Sequence, residues 1–144
     1  MTYPAAITAL KAKLDAITGA DGTTLSELAE KRFWSLSEVD SKAAFDGRYL
    51  LRNESGAKPW PEETNNPVNW YSWMTLEIGT ELLRDALEQS ETVEDRSRLV
   101  TIALQYTALA TGCIYDWQEP EVQRIENDKR ILWVVRFKLR YSTP

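Results

Sequence analysis

"YSWMTLEIGTEL" (residues 71–82) sets Met74, Leu76, Ile78 and Leu82 in alternation with Trp73, Thr75, Glu77 and Glu81. Successive side chains of a strand point to opposite faces, so this spacing predicts a strand with one face on a core and the other in solvent. The same period returns in "RILWVVRFKLRYS" (residues 130–142). There Ile131, Trp133, Val135, Phe137, Leu139 and Tyr141 fall on one side, and Leu132, Val134, Arg136, Lys138 and Arg140 on the other. The residues just before it, Glu126 to Lys129, read as a hairpin turn from a shorter strand around Val122 to Ile125. "GRYLLR" (residues 47–52), opened by an Asp46-Gly47 turn, and "RFWSL" (residues 32–36) read as further short strands.

Strands with an apolar face need a cover, and helical periodicity supplies two candidates. From Tyr3 to Ile17, the residues Ile7, Leu10, Leu14 and Ile17 line one helical face, and Gly19 reads as the stop. "SETVEDRSRLVTIALQYTALATG" (residues 90–112) is the strongest helical stretch. Thr92 and Asp95 suit its cap, Leu99, Ile102, Ala103, Tyr106, Leu109 and Ala110 its buried face, and Gly112 its end. A weaker helix, Thr24 to Lys31, rests on a capping box between Thr24 and Glu27. The order predicts an α+β fold: a mostly antiparallel β-sheet with two main helices packed on one face.

The chain of 144 residues is 43% hydrophobic, which suits one domain spanning residues 1–144 and burying roughly 70% of its unfolded surface. It has one cysteine, Cys113, which reads as a buried structural thiol in a reducing compartment. No apolar run is long enough for a membrane span, and the first residues lack the pattern of a secretion signal. The sequence contains no histidine, which excludes Ser-His-Asp and Cys-His catalysis and His-ligated zinc. Carboxylate chemistry is what remains for an enzyme. Acids are common here, 22 in all, so a pair such as Glu62 and Glu63 reads as a solvated loop. Glycine-rich phosphate loops are absent from the sequence. No catalytic, metal or cofactor residue is assigned.

Two features stand out against this background. "KPWPEETNNPVNWYSW" (residues 58–73) concentrates Trp60, Trp70 and Trp73 with Pro59, Pro61 and Pro67, in a connection from 53 to 69 that is longer than compact domains usually carry. Charge is also uneven. Residues 129–144 hold five of the 17 basic residues (Lys129, Arg130, Arg136, Lys138, Arg140) and none of the 22 acids, which gives +5 there and −10 on the rest. Besides a solvated strand face, this permits a head-to-tail contact in which the basic strand meets an acidic face of the next copy. Nucleic acid is the weaker expectation, since the net charge is −5 and no aromatic platform is evident beside the basic strand.

The helix "AAITALKAKLDAI", the strand "WMTLEIGTEL", the helix "TVEDRSRLVTIALQYTALA" and the strand "RILWVVRFKLRYS", in that order, resemble the tail terminator proteins of long-tailed bacteriophages. The resemblance covers nearly the full chain; the extra helix at Thr24–Lys31 and the loop from Asn53 to Asn69 depart from it. It implies a non-enzymatic virion protein, assembled in the host cytoplasm, whose six copies ring the end of the tail tube, stop its polymerisation and present a surface for head-tail joining. The implied partners are the protein itself, the tail tube protein and the head-tail connector, with no membrane, no cofactor, and genomic DNA only as cargo passing through the ring. A neighbouring neck or tail-completion protein is the nearest alternative.

Within that reading Trp60, framed by Pro59 and Pro61, is expected to anchor in a neighbouring subunit or the tube. Trp70 and Trp73 belong more with the strand, and Arg136, Lys138 and Arg140 supply the charged face. A reading from another class makes Trp60 and Trp70 a sugar-stacking pair with Glu62 and Glu77 as acid and base. A single-strand nucleic-acid binder is a third.

Overall fold

The two long alternating stretches lie side by side at the centre of one sheet. The computed structural model describes residues 1–61, 67–81, 85–106, 113–125 and 129–144, with Lys42 and Ala43 as backbone only. Its elements are α1 (Tyr3–Asp15), β1 (Ser26–Glu27), a 3-10 turn (Leu36–Glu38), the single helical turn α2 (Lys42–Phe45), β2 (Arg48–Asn53) and β3 (Lys58–Trp60). They continue with β4 (Asn69–Glu81), α3 (Ala86–Thr101) running into a π-helical turn (Ile102–Tyr106), β5 (Ile114–Tyr115), β6 (Glu121–Ile125) and β7 (Arg130–Ser142). Strand order is β1-β2-β4-β7-β5, with β3 added to β4 and β6 to β7. All pairings among the described residues are antiparallel except β1 with β2. β4 and β7 pair along all 13 residues of each, from Asn69 opposite Ser142 to Glu81 opposite Arg130.

One side of the sheet meets both helices, as the sequence predicts. Met74, Leu76, Ile78, Val135, Phe137 and Leu139 pack there against Ala6, Leu10 and Leu14 of α1 and Val100 and Leu104 at the end of α3. Cys113 is buried in the same cluster, a free thiol.

The other side departs from the prediction, because Thr75 and Glu77 of β4 are buried as well. Chain segment 28–45 lies over that half of the sheet, and Leu28, Leu36, Val39 and Phe45 form a second cluster with Leu132. Two charged groups hold it in place. Glu77 accepts from the Leu36 backbone N–H at 2.8 Å, from Ser35 Oγ at 2.9 Å and from Arg52 at 2.5 Å. Arg130 donates to the carbonyls of Val39 and Asp40. Gly79 is where the backbone of this segment comes closest: a Cβ built there would lie 2.5 Å from the carbonyl oxygen of Phe45.

Four local expectations change. The Thr24–Lys31 helix is absent: the chain is extended into β1, Thr24 Oγ1 hydrogen-bonds Thr18 Oγ1, and Glu27 pairs with Lys11 at 2.9 Å and Lys31 at 2.7 Å. "RFWSL" is no strand but the approach to the 3-10 turn, where Ser35 and Glu38 form the capping box. α1 stops at Asp15 with Ala16 as its C-cap, while Gly19 lies beyond, donating to Thr23 O in a following turn. The long connection 53–69 contains a strand of its own, β3.

α3 also starts earlier than predicted, because Asp85 caps it by accepting from Glu88 N at 2.8 Å; Thr92 and Asp95 lie inside the helix. Its buried stripe is Gln89, Thr92, Arg96, Val100 and Leu104, and it leaves Ile102 48% and Tyr106 76% exposed. The stripe escapes a hydrophobicity pattern because three of its members are polar, each buried with a partner. Arg96 reaches Asp46 at 2.9 Å, Gly79 O and Thr80 Oγ1 at 3.1 Å and Asp21 at 3.3 Å. Leu82, Leu109, Ala110, Gly112 and the 126–128 part of the predicted hairpin turn lie outside the described residues.

Candidate interface on the open half of the sheet

Segment 28–45 covers only half of its side of the sheet. On the uncovered half the alternation of β7 brings out Arg136, Lys138 and Arg140, and the register sets them opposite Thr75, Trp73 and Tyr71 of β4. Directly paired residues share a face. β3 adds Trp60, whose partner on β4 is Asn69, and β5 adds Tyr115, paired with Lys138.

These side chains interlock as cations over rings. Arg136 lies 5.0 Å from the Trp73 ring centre, and Arg140 lies 5.6 Å from that of Trp60. Lys138 Nζ sits among three rings, 4.8 Å from Tyr71, 5.1 Å from Trp73 and 5.5 Å from Tyr115. Each such contact contributes about 0.5–2 kcal/mol, more as water is excluded. Trp60 meets Tyr71 and Tyr115 edge-on, at 6.1 and 5.2 Å. The sequence expectation that the basic strand lacks an aromatic platform is therefore corrected. The platform comes from β3, β4 and β5, and its rings already carry the protein's own cations.

Acids join at the margins. Glu54 bridges Arg136 at 3.2 Å and Arg52 at 3.1 Å, and Asp116 meets Lys138 at 2.8 Å. Arg52 in turn covers Trp34, which is 59% exposed. Among the three β7 cations on this open half, Lys138 is mostly enclosed, with 16% of its side chain exposed, while Arg136 keeps 50% and Arg140 is exposed.

The sequence-predicted residues fall into distinct places. Trp60, Arg136, Lys138 and Arg140 come together on this face. Trp60 is half-buried in its own ring cluster rather than projecting as a free anchor. Pro59 pairs with Trp70 across β3 and β4, on the opposite side of the sheet, and Pro61 is exposed. Trp70 Nε1 donates to Thr143 Oγ1 at 2.8 Å, and both Trp70 and Trp73 are strand residues as expected. Trp60 and Trp70 thus stand on opposite faces and form no common stacking platform. Glu77 is 3% exposed and bound by Ser35, Leu36 and Arg52, which leaves it no open side for acid or base work. Glu62 and Glu63 lie outside the described residues.

Sequence reasoning missed Tyr71, Tyr115, Glu54, Asp116 and the Arg52–Trp34 pair. The signal available was phase: Tyr71 and Trp73 alternate in step with Glu77, just as the β7 cations do with Val134. Joining the two phases requires the β4–β7 register, which the long intervening stretch hides.

The opposite side of the molecule has the opposite sign. The outer surface of α3 carries Glu91 and Glu94 exposed and Glu88 and Asp95 partly so. Between α3 and the turn after α1, a groove of about 250 Å³ is lined by Ala20, Asp21, Glu88, Glu91, Thr92 and Asp95. Asp95 there accepts from Ala20 N at 2.8 Å and pairs with Arg98 at 2.8 Å. Among the described residues no group of His, Cys, Asp or Glu is arranged to hold a metal ion. No helix among them is long and apolar enough to cross a membrane. A scan against protein-family models finds no match, and a search of curated proteins returns no significant one.

Proposed function

We propose that this chain is a structural subunit of a phage tail, a tail terminator that assembles with itself into a ring of six on the end of the tail tube. The ring stops tube growth and offers its far surface to the head-tail connector, and DNA passes through its opening. The order of α1, β4, α3 and β7 supports the resemblance. The observation that carries the reading is the two-sidedness of the sheet: the acidic outer surface of α3 and its groove on one side and a cation-and-ring face on the other. A subunit with unlike, complementary sides joins head to tail, and such contacts close into rings when the rotation permits.

Native mass spectrometry over a concentration series, with negative-stain images of the most concentrated sample, tests the proposal. The expected species is a closed hexamer with a central opening that, added to polymerising tail tube protein, arrests tube length. A monomer at every concentration that leaves tube length unchanged would sink the proposal.

A further inference from the structure

We infer that the open half of the sheet is the docking surface for a second copy of this chain, with Arg140 entering the acidic groove between α3 and the turn after α1. The inference rests on the ring reading and names its contact.

The argument starts from what the face can tolerate. Arg136 and Arg140 lie on the same face of one strand with Lys138 between them, and strand geometry spaces neighbours on such a face about 6.6–6.8 Å apart. Arg140 is exposed, and the contact that orients its guanidinium is the ring of Trp60. Arg136 and Lys138 are bridged by Glu54 and Asp116, so two copies meeting by this face would bring the two Arg140 guanidinium groups towards each other. Arg98 bridges Glu94 and Asp95, so two copies meeting by α3 would oppose chiefly Glu91 and Glu88 in the same way. Like charges brought together without counter-charges repel, so symmetric pairing through either side is disfavoured. The pairing that satisfies both sides is heterologous: the sheet face of one copy on the helix layer of the next.

The chemistry of the two sides fits this. The groove of about 250 Å³ is lined by the carboxylates of Asp21, Glu88, Glu91 and Asp95; Arg96 holds Asp21 and Arg98 holds Asp95, while Glu91 is exposed, and a guanidinium donates in a planar fork suited to a carboxylate. Trp60 and Trp73, half-buried under their cations, supply the apolar area beside the charges. Tryptophan and arginine are the residue types that dominate binding energy at interfaces. Because the rings hold the cations over the sheet before contact, less side-chain freedom is lost on docking.

Charge reversal decides it. Sedimentation velocity and native mass spectrometry would compare the wild type with Arg140→Glu, Glu91→Lys and the double variant carrying both. Both positions are exposed, and circular dichroism and thermal melts confirm folding. Each single reversal is expected to raise the concentration needed for half-assembly by roughly tenfold or more. In the double variant the carboxylate introduced at position 140 of one copy meets the ammonium introduced at position 91 of the next, and assembly is expected to return to within about threefold of wild type. Assembly of both single variants at wild-type concentrations overturns the docking surface and leaves the ring reading standing. A wild type that remains monomeric at every concentration and leaves tube length unchanged overturns both. A monomer that binds single-stranded oligonucleotide, and loses it in Arg140→Glu, assigns the face to nucleic acid instead.

Discussion

Arg96 shows how one side chain ties together parts of the chain that are far apart in sequence. It rises from α3 with 2% of its side chain exposed, and its guanidinium joins the loop at Asp21, the turn at Asp46 and the end of β4 at Gly79 and Thr80. Removing one partner of a buried ion pair leaves the other charge desolvated and unmatched. Arg96→Ala is therefore expected to lose about 3–5 kcal/mol in urea unfolding, with Arg96→Lys intermediate, since an ammonium lacks the fork that serves several acceptors at once. Tyr49 is the second buried polar group with a measurable signature. Burial first, then its hydrogen bond to Asp15 at 2.8 Å, push its hydroxyl pKa far above the ordinary tyrosine range. A group whose pKa is raised by folding stabilises below its unfolded value and loses that contribution as pH rises. Melting temperatures of the wild type should accordingly fall from about pH 10 upward, and Tyr49→Phe, although less stable at neutral pH, should show a shallower fall. Neither role was legible in the sequence. An arginine within a helix and a tyrosine within a strand are read by their neighbours in space, and those neighbours lie as far as 34 residues away for Tyr49 and 75 for Arg96.

At the scale of the element, β4 and β7 were readable because a period of two needs no knowledge of the rest of the fold. Their flanking segments were not. Thr24 and Glu27 have the spacing of a capping box, yet Glu27 is claimed by Lys11 and the chain stays extended, paired with β2. Phe33 and Trp34 have strand-like composition, yet the reach of Glu77 to Leu36 N bends the chain over the sheet. In both places a long-range polar contact overrides a local preference of a few tenths of a kcal/mol. The candidate face was legible to the same extent: its cations and Trp60 could be named, but the rings beneath them depend on pairing register. Gly79 is the position where the crossing of this cover is most exposed to test. A methyl group there would meet the Phe45 carbonyl oxygen at 2.5 Å, with Phe45 ring carbons at 3.1 Å. Gly79→Ala is expected to cost about 1–3 kcal/mol, read as a lower urea midpoint at unchanged slope.

Across the whole molecule, the helix layer and segment 28–45 clasp the sheet from its two sides, and both rely on the β4–β7 ladder. That ladder joins residues separated by 49 to 73 positions, and its contacts come after the loop between them has closed. Folding dominated by distant pairings is slow, and stopped-flow refolding is expected in the range of about milliseconds to seconds, whereas a helical bundle of equal length would finish sooner. During synthesis the delay is longer still. β4 leaves the ribosome with residues destined for burial on both faces and with its β7 side unpaired. At about 5–20 residues per second, the 82–142 stretch that ends in β7 takes roughly 3–12 s more to appear. For that interval a central strand of the sheet is an uncovered edge on every nascent chain, and on a polysome many such edges face one another. The yield of soluble protein should therefore depend on translation speed across residues 82–142 and on holdase chaperones present as β4 emerges, more than on the stability of the finished fold.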